Sequence, residues 1–117
     1  MQEICNKIVQ DIWAKAQIIW PKLLAYNPPR IVINKRIYRF AGRCWTSDNK
    51  IELSYKLYTK HGMVFINEIL PHEIGHQIDY NLNGTPKNNR WHGNQWIIIG
   101  AKLGFEFKTY HTFEYNK

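Results

Sequence analysis

Apolar residues recur at helical spacing through the first two dozen positions. Ile4, Ile8, Ile12, Ile19 and Leu23, joined by Val9, Trp13, Ala16, Trp20 and Leu24, trace the buried stripe of an amphipathic helix. Pro21 lacks the backbone donor that a helix interior needs, so it should kink or split this element. Asn27-Pro28-Pro29 ends it. Ile31-Val32-Ile33 then reads as a strand, followed by strands over Tyr38 to Thr46 and Ile51 to Leu53, with Ser47-Asp48-Asn49-Lys50 as a hairpin turn. Ser54 is placed to cap a short helix through Tyr58. Val64, Phe65, Ile69, Ile74 and Ile78 return to near-helical spacing, and Asn83-Gly84 supplies a stop. The loop from Asn81 to Arg90 is rich in Asn, Gly, Pro and Thr, so the chain can turn back there. A second apolar helix carries Trp96, Ile97, Ile98, Ile99, Ala101 and Leu103, opens near His92 and ends near Gly104. Phe105 to Phe113 is expected to be extended. These elements predict one α+β domain over residues 1–117, with an N-terminal helix, a small three-stranded sheet and two further long helices.

Length and composition agree with that reading. A chain of 117 residues has room for one core, and 44% hydrophobic with 15% aromatic residues excludes a disordered chain. No apolar run approaches membrane-spanning length, and Glu3 and Asp11 stand where a signal peptide would be basic and then apolar. Cys5 and Cys44 form no C-x-x-C pair and read as small buried hydrophobes in a reducing compartment. A cytoplasmic monomer with no membrane partner is therefore expected.

The chemistry concentrates in His72-Glu73-Ile74-Gly75-His76. Two helical residues four apart are rotated by only about 40° and separated by about 6 Å of rise, so both imidazoles can grip one zinc ion. The glutamate between them lies beside the metal, where it can take a proton from a zinc-bound water. Two histidines leave zinc under-coordinated, so a third ligand must come from elsewhere. The next histidine is His92, and a helical hairpin through the Asn81–Arg90 loop could bring it against the first two.

Pro71-His72-Glu73-Ile74-Gly75-His76, then His92-Gly93-Asn94-Gln95-Trp96, then Tyr110-His111-Thr112-Phe113 together resemble the SprT family, which includes the Spartan proteases. Ala41-Gly42-Arg43-Cys44-Trp45 and Ile51-Glu52-Leu53-Ser54 resemble that family's paired strands leading into the active helix. The resemblance runs from about Arg30 to Phe113. It implies a zincin-like fold, Zn2+ on His72, His76 and His92, Glu73 as catalytic base, and proteolysis linked to DNA. Many members continue into a four-cysteine zinc ribbon. Here the expectation is the bare metalloprotease core.

Charge sharpens the DNA expectation. From Ala14 to Ser47 there is no acidic residue, but there are Lys15, Lys22, Arg30, Lys35, Arg36, Arg39 and Arg43, which together match the net charge of +7. Such asymmetry suits a polyanion, and Tyr38, Phe40 and Trp45 are interleaved with it as a surface for stacking single-stranded DNA would require. Strand alternation would put the aromatics Tyr38 and Phe40 inside and Arg39, Ala41 and Arg43 on the opposite side. Asp79, seven residues after His72, is either a carboxylate that orients a ligand imidazole or a solvated charge near the helix end. His111 and Tyr110 either reach the site and stabilise the tetrahedral intermediate or are structural. Trp91 and Trp96 read as packing residues. The two functions that remain are a zinc endopeptidase acting on DNA-associated protein and a non-proteolytic, zinc-containing nucleic-acid-binding or interaction module. Glu73 favours the first, because a structural site needs no general base.

Overall fold

The computed structural model describes residues 1–36, 39–109 and 113, so Tyr38, Tyr110 and His111 lie outside the described residues. Helix α1 spans Gln2–Ile19 and buries Cys5, Val9, Ile12, Trp13 and Ala16, the stripe expected from the spacing. Pro21 splits the opening element as expected: the α-helix stops at Ile19 and the chain resumes as a 3-10 turn over Pro21–Ala25. Strands β1 (Arg30–Asn34), β2 (Gly42–Trp45) and β3 (Lys50–Ser54) form one mixed sheet in the order β1-β3-β2. β1 runs parallel to β3, and β2 antiparallel to it. Between β2 and β3 the turn is a 3-10 segment, Thr46–Asp48, closed by Asn49 at φ 51°, a left-handed position that asparagine tolerates.

β2 is shorter than the expected Tyr38 to Thr46 strand. Pairing begins at Gly42 opposite Leu53, and the Ala41 carbonyl accepts only from Ser54 N at 3.0 Å. Because residue 41 precedes the strand, alternation does not extend back to it, and Ala41 is buried rather than facing out with the arginines. Within β2 the expectation holds: Arg43 and Trp45 are exposed, and Gly42 and Cys44 face inward.

Ser54 ends β3 and accepts from Leu57 N at 3.2 Å, so it caps α2 (Tyr55–His61). Gly62 links α2 to α3 (Met63–Asn83), and Gly84 terminates α3. Helix α3 packs against α1, α2, α4, β2 and β3, and it is buried on nearly all sides from Phe65 to Asp79. Pro71 lies inside it, so the helix lacks one of its hydrogen bonds at that turn. Helix α4 (Asn94–Leu103) folds back on α3 after the loop, as the hairpin expectation required. The expected extended tail forms no strand over its described residues 105–109, although Phe113 packs edge-on against Phe65 at 5.5 Å. The described residues form a small α+β domain with four α-helices and a three-stranded sheet. No helix among the described residues is long and apolar enough to cross a membrane.

Candidate metal centre

α3 delivers His72 and His76 one turn apart on one face. The Arg90–Gly93 turn, held by Gly93 N donating to Arg90 O at 3.1 Å, delivers His92 immediately before α4. The three imidazoles converge, each offering a nitrogen within 4.8 Å of the others. His72 Nε2 and His92 Nε2 are 3.2 Å apart. Two nitrogens bound to a tetrahedral zinc at about 2.0–2.1 Å would lie about 3.3–3.4 Å apart, so this spacing already matches a shared ion. His76 is buried, and its Nδ1 has no hydrogen-bond partner. A histidine kept only for packing would normally have both ring nitrogens satisfied, because a buried orphan is costly. Burial pushes His76 down to about 3, with His72 and His92 adding to the shift, and burial also lowers His92. Both are thus neutral near pH 7, the form that donates a lone pair to a metal. The donor set therefore fits a metal ion such as zinc.

Glu73 lies beside this cluster, with its Oε2 at 3.8 Å from His72 Nε2. Burial raises its carboxyl to about 8, against the opposing pull of the Cys44 backbone N–H that donates to it and of the Arg43 guanidinium. The sequence offers no sign of the Cys44 contact, because the donor is a main-chain group whose aim depends on how β2 docks against α3. The Cys44 thiol itself donates to Gln77 Oε1 at 3.4 Å and is held protonated, first by burial and then by Glu73. An open cleft of about 400 Å³ runs over the site. Phe40 to Cys44 and Thr46 form one wall, Phe105 to Thr109 the other, and His72, Glu73 and His76 the floor.

Gly75, inside the motif, faces a close neighbour. A Cβ there would lie 2.4 Å from the Phe107 ring and 3.0 Å from Trp96 Nε1. Gly100 of α4 meets the same Phe107 ring at 2.5 Å. Phe107 therefore sits in a slot made by two glycines, one from each helix. That is why a residue costing about 1 kcal/mol relative to alanine stands in mid-helix.

Asp79 is buried and accepts from Asn83 Nδ2 at 2.8 Å, so it is not a solvated charge near the helix end. The basic block divides. Lys15 Nζ donates to Leu103 O at 2.8 Å and Lys22 Nζ to Leu82 O at 3.2 Å, both neutralising helix C-terminal carbonyls. Arg30 pairs with Asp48 at 3.1 Å. Lys35, Arg36, Arg39 and Arg43 are exposed. Arg43 lies over the Phe40 ring at 4.3 Å and the Trp45 ring at 5.0 Å, at the rim of the cleft. Trp45 is oriented by donating to Glu52 Oε1 at 2.6 Å.

Two outcomes are expected from this geometry. Gly75→Ala should destabilise the protein, because overpacking against Phe107 costs about 1–3 kcal/mol and helix propensity returns only about 1 kcal/mol. Denaturant unfolding measures it, and an alanine variant as stable as wild type or more so would show that the ring simply moves aside. The second outcome concerns pH. In metal-free protein, with Glu73 raised from 4.5 to about 8, the folded state holds a proton that the unfolded chain has lost, so stability falls as pH rises through this window. His76 and His92 act the other way only below their ordinary 6.5. Between about pH 6.5 and 8, wild type should therefore lose thermal stability relative to Glu73→Gln, and parallel curves for the two would count against a protonated buried Glu73.

Residues 17–115 match the model of the SprT-like family. The chain is 32% identical over 87 residues to Protein SprT of Vibrio parahaemolyticus, covering 74% of this chain and 50% of that protein. It is 30% identical over 116 residues to Protein SprT of Klebsiella pneumoniae, covering 97% of this chain and 66% of that protein. Protein SprT of Cronobacter sakazakii is 26% identical over 115 residues, again covering 97% and 66%. The chain thus spans about half to two thirds of the length of these curated relatives. No solved structure matches it significantly. On the family match and the relatives together, the chain belongs to the SprT-like family.

Proposed function

We propose that this chain is a zincin-like, zinc-dependent endopeptidase core that cleaves protein held on DNA. The observation that carries this reading is the convergence of three imidazoles within 4.8 Å at the floor of an open cleft, beside a buried carboxylate. A structural zinc site would normally be closed by a fourth protein ligand, whereas the cluster among the described residues has three and opens into the cleft.

His72, His76 and His92 would hold the ion. Zinc bound there supplies Lewis-acid chemistry, acidifying a water and polarising a carbonyl. Glu73, aimed by the Cys44 N–H, accepts the proton of the attacking water and returns it to the departing amine. A carboxyl raised by burial is suited to that exchange near neutral pH. The facing walls of the cleft hold the polypeptide extended across the floor, and no deep side-chain pocket is needed for loose cleavage of whatever protein is kept nearby.

DNA would serve as the tether. Exposed Arg43 beside two aromatic rings at the cleft rim, with Lys35, Arg36 and Arg39, combines phosphate neutralisation with stacking, which suits single strands. Of these residues Arg43, with Phe40, lines the cleft, which supports a tether close to the metal centre.

Purified protein should carry about one zinc per chain, and His92→Ala should strip most of it. Glu73→Gln should retain zinc yet lose cleavage of a denatured or DNA-bound protein by about a hundredfold or more. Equal cleavage by the two proteins would overturn the mechanism, and a wild type that binds zinc but cleaves nothing would favour a binding module. Charge reversal at Arg39 and Arg43 should weaken salt-dependent, sequence-independent binding of labelled DNA without changing zinc content. Binding insensitive to both salt and reversal would remove DNA from the reading.

A further inference from the structure

Trp96 is fully buried on α4, and it touches every member of the histidine cluster. Its ring centroid lies 4.6 Å from His72, 4.9 Å from His76 and 4.6 Å from His92. The three contacts differ in kind. His76 is stacked on the indole, with planes 8° apart, whereas His72 stands edge-on at 69° and His92 is tilted at 53°. One rigid ring thus sets three imidazole planes that come from two separate elements.

The indole N–H adds a directional tie. Trp96 Nε1 donates to the His72 carbonyl at 3.2 Å. Within α3 that same carbonyl faces the N–H of His76, four residues on, and its second lone pair is available to the indole. The bond therefore lands on the helical turn that spaces the two α3 histidines. Behind the indole, Phe107 stacks at 4.8 Å and 29° and is itself held in the glycine slot of α3 and α4. Glycine at position 75 is what lets the indole and Phe107 come this close.

We infer that Trp96 is a positioning residue for the metal centre: it holds the three imidazoles converged, each offering a nitrogen within 4.8 Å of the others, before an ion arrives, and Phe107 backs it. Any buried indole N–H needs an acceptor, but a group that merely filled the core would need neither that acceptor to lie on the ligand turn nor contact with all the histidines. The consequence is for affinity. Groups that orient metal ligands without touching the ion typically change metal affinity by about 10–100-fold when they are removed.

The inference rests on the metal reading above, and the test separates the two. Zinc affinity is measured by competition with a chromogenic chelator on wild type, Trp96→Phe, Phe107→Leu and Ile99→Val, with the unfolding temperature of each metal-free protein in parallel. Ile99 is a core residue of the same helix and serves as the control for simple destabilisation. Trp96→Phe keeps an aromatic ring but loses the N–H. It should bind zinc at least about tenfold more weakly, and its cobalt-substituted form should show an altered visible spectrum. Phe107→Leu leaves the N–H in place and should weaken zinc by a smaller factor, which keeps the test decisive if Trp96→Phe fails to fold. Ile99→Val should lower the unfolding temperature and leave zinc affinity unchanged. Wild-type affinity in both aromatic variants, or equal weakening in Ile99→Val, would overturn the positioning role while leaving the zinc site standing. Absence of zinc binding by wild type would overturn the metal reading itself.

Discussion

The burial of α3 is the constraint on which the rest of the domain depends. A helix buried on nearly every side must be covered by the other elements, and α1, α2, α4, β2 and β3 all pack on it. Yet its buried stretch also carries Glu73, His76, Gln77 and Asp79. Such groups are tolerated inside only when something answers them. Gln77 bonds to the Thr46 carbonyl and to Asn81, and Asp79 to Asn83. Glu73 receives the Cys44 N–H and is driven toward its neutral form, while His76 Nδ1 is left without a partner. The two groups with the least ordinary solutions are those at the floor of the cleft.

The same burial explains why the neighbours of the motif are so specific. With α3 central, Gly75 and Gly100 leave the space between α3 and α4 that an aromatic ring can enter. Phe107 fills the slot, Trp96 stacks between Phe107 and His76, and the start of α4 brings His92 to the other histidines. Helix packing and ligand geometry are thus one arrangement. On the opposite wall, β2 is an edge strand of the sheet, so the Cys44 N–H can turn toward Glu73.

Charge is used in two ways. Lysines of α1 and of the following turn neutralise the C-terminal carbonyls of α4 and α3, which fastens the N-terminal segment to the helical hairpin. Arg30 is engaged by Asp48, just beyond the stretch that looked uniformly basic. Lys35, Arg36, Arg39 and Arg43 of that stretch are exposed, and of these Arg43 lines the cleft.

Much of this was legible in the amino-acid order because it follows from short-range periodicity. Spacing of apolar residues located α1, α3 and α4, Pro21 marked the break after α1, Ser54 marked the cap of α2, and the pair His72 and His76 had to share a face of any helix that contained them. What depended on the fold was every contact between distant segments. His92 could be nominated by its motif, but only the return of α4 puts it 3.2 Å from His72. The donor that orients Glu73 is a backbone N–H, which no residue type announces. Ala41 was placed on the wrong side because β2 pairs only from Gly42, and pairing rather than composition sets where alternation begins. Trp96 read as packing because an indole in an apolar helix has no distinguishing pattern. Its meeting with three histidines arises from the crossing of two helices, a property of tertiary structure that spacing along one chain does not contain.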